Sequence, residues 1–123
     1  MPERRLALDL AAIDQLRDVA DGDETFLSEI VDEYLADAPD QLDTIDSALA
    51  SGATDEVIRA AHTLKSTSAT FGAWTLEGLA REMEGLARAG RLREVVSLSS
   101  QAREELGSVA VHLRELDLGG GEQ

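Results

Sequence analysis

Two histidines and no cysteine set the range of side-chain chemistry open to this 123-residue chain. Without thiols there are no disulfides, thiolate metal sites or thiol redox steps to consider. His62 is followed three residues later by Lys65, a spacing that on a helix brings the ammonium close to any group attached to the ring. A neutral imidazole is a nucleophile near neutral pH, and a phosphoryl group placed on it brings negative charge that a neighbouring cation stabilises. The sequence offers no acid, base or metal cluster beside this histidine. His62 therefore suits a residue that accepts and donates a phosphoryl group inside another protein's active site, and is poorly equipped to perform the transfer alone. His112 has Glu115 and Leu116 where His62 has Lys65 and Ser66, and it is assigned no role. Taken by itself, a single histidine on a helix face is a solvated polar residue, and periodicity does not separate the two readings.

The elements that would position His62 are helical. Around the segment VIRAAHTLKSTSATF, at about 100° per residue, Val57, Ala60, Ala61, Leu64, Ser68 and Phe71 share one face and His62 falls on the opposite one. Ile58, Arg59, Lys65, Ser66 and Ala69 lie beside it. Ser66 and Ala69 are small, so the ring is expected to protrude from a shallow surface that a partner can reach. This helix starts near Thr54 or Asp55 and ends at Gly72, where positive φ is free. Before it come a short helix capped by Asp9 and ending at Asp21-Gly22-Asp23, then a stripe from Phe26 through Ile30, Tyr34 and Ala38. Pro39 is expected to kink or restart that stripe, which continues through Leu42 and Ile45 to Ser51-Gly52. After it, Leu76, Leu79, Ala80 and Met83 repeat three and four apart up to Ala89-Gly90, and a longer stripe including Val96 runs from Leu92 to Leu116. Trp74, the sole tryptophan, is expected to cover the end of the bundle.

Long amphipathic helices joined by short turns pack as antiparallel neighbours. The expected fold class is all-α, an up-down-up-down four-helix bundle with a short additional N-terminal helix, as a single domain over 1–118 with a flexible tail at 119–123. Composition agrees: 43% of residues are hydrophobic but only 3% aromatic, so the core is aliphatic, and two prolines leave no regular series of β-turn signals. The formal charge of −14 opposes nucleic acid and anionic membrane surfaces as partners. No run approaches the ~20 apolar residues of a membrane span, and a soluble, cytoplasmic, monomeric protein is expected.

The string AHTLKSTSATFGA at 61–73 resembles the signature of histidine-containing phosphotransfer (HPt) domains: His62, Leu64 two later, Lys65 three later, the small residues Ser66 and Ala69, and Gly72 ten later. The resemblance extends to Leu76, Leu79 and Glu84, and loosely to the bundle from about 9 to 116. It implies a phosphorelay intermediate, phosphorylated on His62, with Lys65 as the charge partner of the phosphoryl group and Ile58, Arg59, Ser66 and Ala69 in the face met by receiver domains of response regulators or by a hybrid histidine kinase. It also implies no cofactor and no metal site in this chain, the magnesium belonging to the receiver. Many members of the family have Gly where this chain has Ser66, and serine is small enough to leave access open.

A self-phosphorylating histidine kinase needs an ATP-binding domain, for which this chain has neither spare length nor a Gly-rich nucleotide loop. A di-iron carboxylate bundle needs Glu-x-x-His pairs, whereas Arg59 and Val109 stand three before the two histidines. The remaining alternative is a non-catalytic helical adaptor that binds signalling proteins without phosphotransfer.

Overall fold

The computed structural model describes residues 7–116; the expected tail at 119–123 and the outer limits of the 1–118 domain lie outside these. Five helices follow one another: α1 (Leu10–Val19), α2 (Glu24–Ser51), α3 (Thr54–Thr70), α4 (Trp74–Arg88) and α5 (Leu92–Glu115). There is no strand among the described residues, in accord with the all-α expectation. α2 packs against α3 and α5, α4 packs against α3 and α5, and α1 lies on α2.

The boundaries follow from local chemistry. The Asp9 carboxylate accepts from the Ala11 N–H at the start of α1, and Asp23 accepts from Phe26 N–H at the start of α2; each satisfies an amide that has no intrahelical partner. α3 has no side-chain cap, but Asp55 and Glu56 in its first turn face the positive end of the helix dipole.

Pro39 does not restart the chain as expected, because α2 is continuous through it. The reason is packing on both sides of the proline. Val31, Tyr34 and Ala38 before it and Leu42, Ile45 and Ala48 after it stay in helical phase, and all are buried. Six buried side chains outweigh the ~3 kcal/mol that an interior proline costs.

The core is aliphatic, with Leu27, Leu42, Ile45, Val57, Leu64, Leu76, Met83, Val95, Val109 and Leu113 almost fully enclosed. The predicted inner face of α3, from Val57 to Phe71, is buried at every position. Elsewhere the stripe residues Phe26 and Val96 are exposed, as are Leu10 and Val19 of α1. Leu10, Val19 and Phe26 sit at or near the ends of α1 and α2.

Polar cross-links fix the helices relative to one another. The Tyr34 hydroxyl of α2 meets the buried Ser68 hydroxyl of α3 at 2.8 Å. Ser99 Oγ of α5 donates to Asp46 at 2.6 Å, and Arg103 reaches Asp46 and Asp43 at 2.7 and 3.0 Å. Gly72 does more than end α3. Its φ is +67°, and a Cβ there would lie 2.7 Å from Asp9 Cβ and 2.8 Å from Ala12 Cβ. Asp9 N–H also donates to the Gly72 carbonyl at 2.9 Å, and Trp74 Nε1 donates to Asp9 Oδ2 at 3.0 Å. The α3–α4 turn is thus the seat of α1. Trp74 joins that seat by its N–H while half its surface stays exposed, so it bridges two helix starts rather than sealing the bundle end.

Candidate functional site

α3 and α4 form a hairpin turning at Phe71–Ala73. His62 stands ten residues before Gly72 and Glu84 twelve after it, so at 1.5 Å per residue each lies roughly 15–18 Å from the turn. The two side chains therefore meet at one level across the α3–α4 interface. Nδ1 of His62 is 3.1 Å from Oε2 of Glu84.

Glu84 is the hub. Its side chain is only 8% exposed, and it receives Lys65 Nζ on Oε1 at 2.8 Å and Arg88 on Oε2 at 2.9 Å. Burial pushes its carboxyl up, but hydrogen bonds from Lys65, Arg88 and His62, with the Lys65 charge added, outweigh burial and hold it down at about 2. It is a carboxylate throughout the physiological range and can only accept hydrogen bonds. In the neutral ring the hydrogen bond to Glu84 then assigns the proton of His62 to Nδ1 and the lone pair to Nε2. The ring itself is 57% exposed.

An acid does accompany the histidine, contrary to the expectation from sequence. Glu84 is 22 positions away and belongs to another helix, so neighbours in the chain could not reveal it. The signal that could have found it is the near-equal distance of residues 62 and 84 from the turn at Gly72. Lys65 is on the face of His62 as expected, but its ammonium is held by Glu84 rather than standing free. Arg88, one helical turn after Glu84, was missed altogether.

The other expected site residues lie along the same stretch of α3. Arg59 and Ser66 are exposed, Ala69 is half-buried, and Ile58 is half-buried against the core. An open groove of about 510 Å³ lies between α2 and α3, lined by residues including Ile30, Glu33, Tyr34 and Phe71, and His62, Lys65 and Glu84 take no part in it. His112 has a different setting: its Nδ1 lies 2.9 Å from the Ser108 carbonyl one turn earlier in α5. Among the described residues no group of three or more His, Asp or Glu side chains converges as metal ligands would, and no helix is long and apolar enough to cross a membrane.

A protruding imidazole whose tautomer is set by a buried carboxylate presents one nucleophilic nitrogen to solvent. Comparison with known proteins fits that picture. The family model of the Hpt domain matches residues 29–112. The crystal structure of histidine-containing phosphotransfer protein B (HptB) from Pseudomonas aeruginosa PAO1 superimposes with a TM-score of 0.82 at 26% sequence identity, covering 89% of this chain and 92% of that one. No match was found among curated proteins.

Proposed function

The chain belongs to the Hpt domain family, and we propose that it is a phosphorelay intermediate that accepts a phosphoryl group on Nε2 of His62 from one receiver-domain aspartate and donates it to another. The observation that carries this reading is the pairing of an exposed ring with the buried Glu84 carboxylate through Nδ1.

In the accepting step the Nε2 lone pair attacks the phosphorus of a receiver's aspartyl phosphate. The N–P bond forms as the bond from phosphorus to the aspartate oxygen breaks, and the aspartate leaves as a carboxylate. No proton moves, because the ring hydrogen is already on Nδ1. The product ring is a phosphorylated imidazolium, whose positive charge faces the Glu84 carboxylate. Lys65, one helical turn after His62, is the cation within reach of the arriving negative charge. The donating step is the reverse, with a second receiver's aspartate as nucleophile. The receiver supplies the magnesium and the rest of the active site, so this chain acts as a phosphocarrier.

The bundle reading supports the same role. α2, α3, α4 and α5 contact one another in a closed cycle, as an up-down-up-down four-helix bundle requires, with α1 as the short addition. In that arrangement the small residues Ser66 and Ala69, with Arg59 and Ile58, form the approach for a receiver domain.

The test mixes the purified chain with phosphorylated receivers and follows acid-labile, base-stable label. Label is expected on the wild type and none on His62→Gln. Label persisting on His62→Gln rules out His62 as the acceptor. Binding of receivers without any label on the wild type favours the adaptor reading.

A further inference from the structure

Glu84 carries more donors than orienting a histidine needs. One oxygen, Oε1, is taken by Lys65, while Oε2 is shared by His62 at 3.1 Å and Arg88 at 2.9 Å. The ring thus hydrogen-bonds to an oxygen for which a guanidinium competes.

That competition has a chemical consequence. A nearly enclosed carboxylate that served only a histidine would favour the doubly protonated ring, since an opposite charge in a poorly solvated site stabilises the charged form. A doubly protonated ring has no lone pair on Nε2 and cannot attack phosphorus. At this site one negative charge, on Glu84, faces two positive ones, on Lys65 and Arg88. The ring is oriented by the carboxylate, and the carboxylate's pull toward protonation is offset by the two cations.

We propose that Arg88 is a positioning residue that acts through Glu84, occupying part of Oε2 so that His62 is held in its Nδ1–H tautomer yet remains a neutral nucleophile. Of the two cations Arg88 fits this task alone. Lys65 is on the helix of His62, within reach of a group on the ring, and meets the other oxygen. Arg88 is 61% exposed, so its truncation leaves no buried cavity. The inference rests on reading His62 as the nucleophile, but its test needs no phosphotransfer.

The experiment records ring nitrogen and proton resonances of His62 in the ¹⁵N-labelled, unphosphorylated full chain at one neutral pH. In Arg88→Ala the ring signals are expected to move toward imidazolium values, with the protonated-to-neutral ratio rising about threefold, the effect of one solvent-facing charge contact. Arg88→Lys, which returns a cation at the same i,i+4 spacing, should recover most of the wild-type signal. Adding Arg88→Ala to Glu84→Gln should change the ring far less than it does in the wild type. Ring signals in Arg88→Ala that coincide with the wild type overturn the proposal, as does an undiminished shift in the Glu84→Gln background. Receivers that fail to label a protein whose ring responds as expected would count against the phosphorelay reading and leave the role of Arg88 standing.

Discussion

Oε2 of Glu84 lies 3.1 Å from Nδ1 of His62, so a nearly enclosed carboxylate is in contact with a ring that is mostly open to solvent. Because Glu84 is held at about 2 against an ordinary 4.5, it links stability to pH. A carboxyl lowered on folding stabilises the fold fully above its unfolded value, and that contribution fades as pH falls from about 4.5 toward 2. The expected size is about 1–3 kcal/mol, reduced by solvent at Arg88 and His62. Urea unfolding from pH 7 to pH 3 should show Glu84→Gln less stable than the wild type at pH 7, with the gap narrowing in acid. A gap that stays constant across that range contradicts the assignment.

Tyr34 offers a second titration, clean because it is the only tyrosine. Burial pushes its hydroxyl up to about 12, partly countered by the hydrogen bond with Ser68. The ultraviolet signature of tyrosinate should therefore be nearly absent at pH 11 in the folded chain and appear on unfolding. With its folded value raised, the stabilisation is intact below pH 10 and is lost as pH climbs through 12.

The same pair predicts a non-additive mutant cycle. Ser68→Ala leaves a buried phenol without its partner and should cost about 1–2 kcal/mol. In a Tyr34→Phe background, where no hydroxyl is stranded, the same substitution should cost clearly less. Equal costs in both backgrounds mean that the 2.8 Å contact contributes nothing to stability.

Gly72 is where α1 meets the α3–α4 turn. Ala at this position must adopt a positive φ, at roughly 1–2 kcal/mol, and drive its Cβ against Asp9 and Ala12. Gly72→Ala should lower the unfolding free energy by about 2 kcal/mol or more and change the emission of Trp74, whose Nε1 bonds Asp9. Unchanged emission with unchanged stability would show that α1 is not seated there.

The inner face of α3 was legible because a single helix dictates it: residues spaced by 3.6 define one arc, and Val57, Leu64, Ser68 and Phe71 are buried as that arc requires. The cap at Asp9 and the stops at Gly52 and Gly90 are equally local. What periodicity does not contain is which helix faces which. For that reason Arg88 escaped the reading, Glu84 entered it only as a position of the family resemblance with no tie to His62, and the second task of Gly72, which depends on α1 packing on a turn 60 residues later in the chain, went unseen. Pro39 misled in the opposite direction, since a local penalty was overridden by burial on both sides of it.

Lys65 separates what the sequence implied from what the structure places. Spacing made it a partner for phosphoryl on His62, whereas in the unphosphorylated chain its ammonium sits 2.8 Å from Glu84. If it only anchors Glu84, its removal should matter only while Glu84 is present. If it also meets the phosphoryl group, removal should slow transfer even without Glu84. The second behaviour follows from the proposed mechanism, because a phosphoryl group on Nε2 adds negative charge one helical turn from an ammonium on a flexible stem. Lys65→Ala should slow transfer from a receiver about tenfold, equivalent to about 1.4 kcal/mol of barrier, and should still slow it several-fold in a Glu84→Ala background. Transfer rates of the four proteins in this cycle decide the matter. If Lys65→Ala has no effect once Glu84 is gone, Lys65 is an anchor for the carboxylate and not a partner of the phosphoryl group.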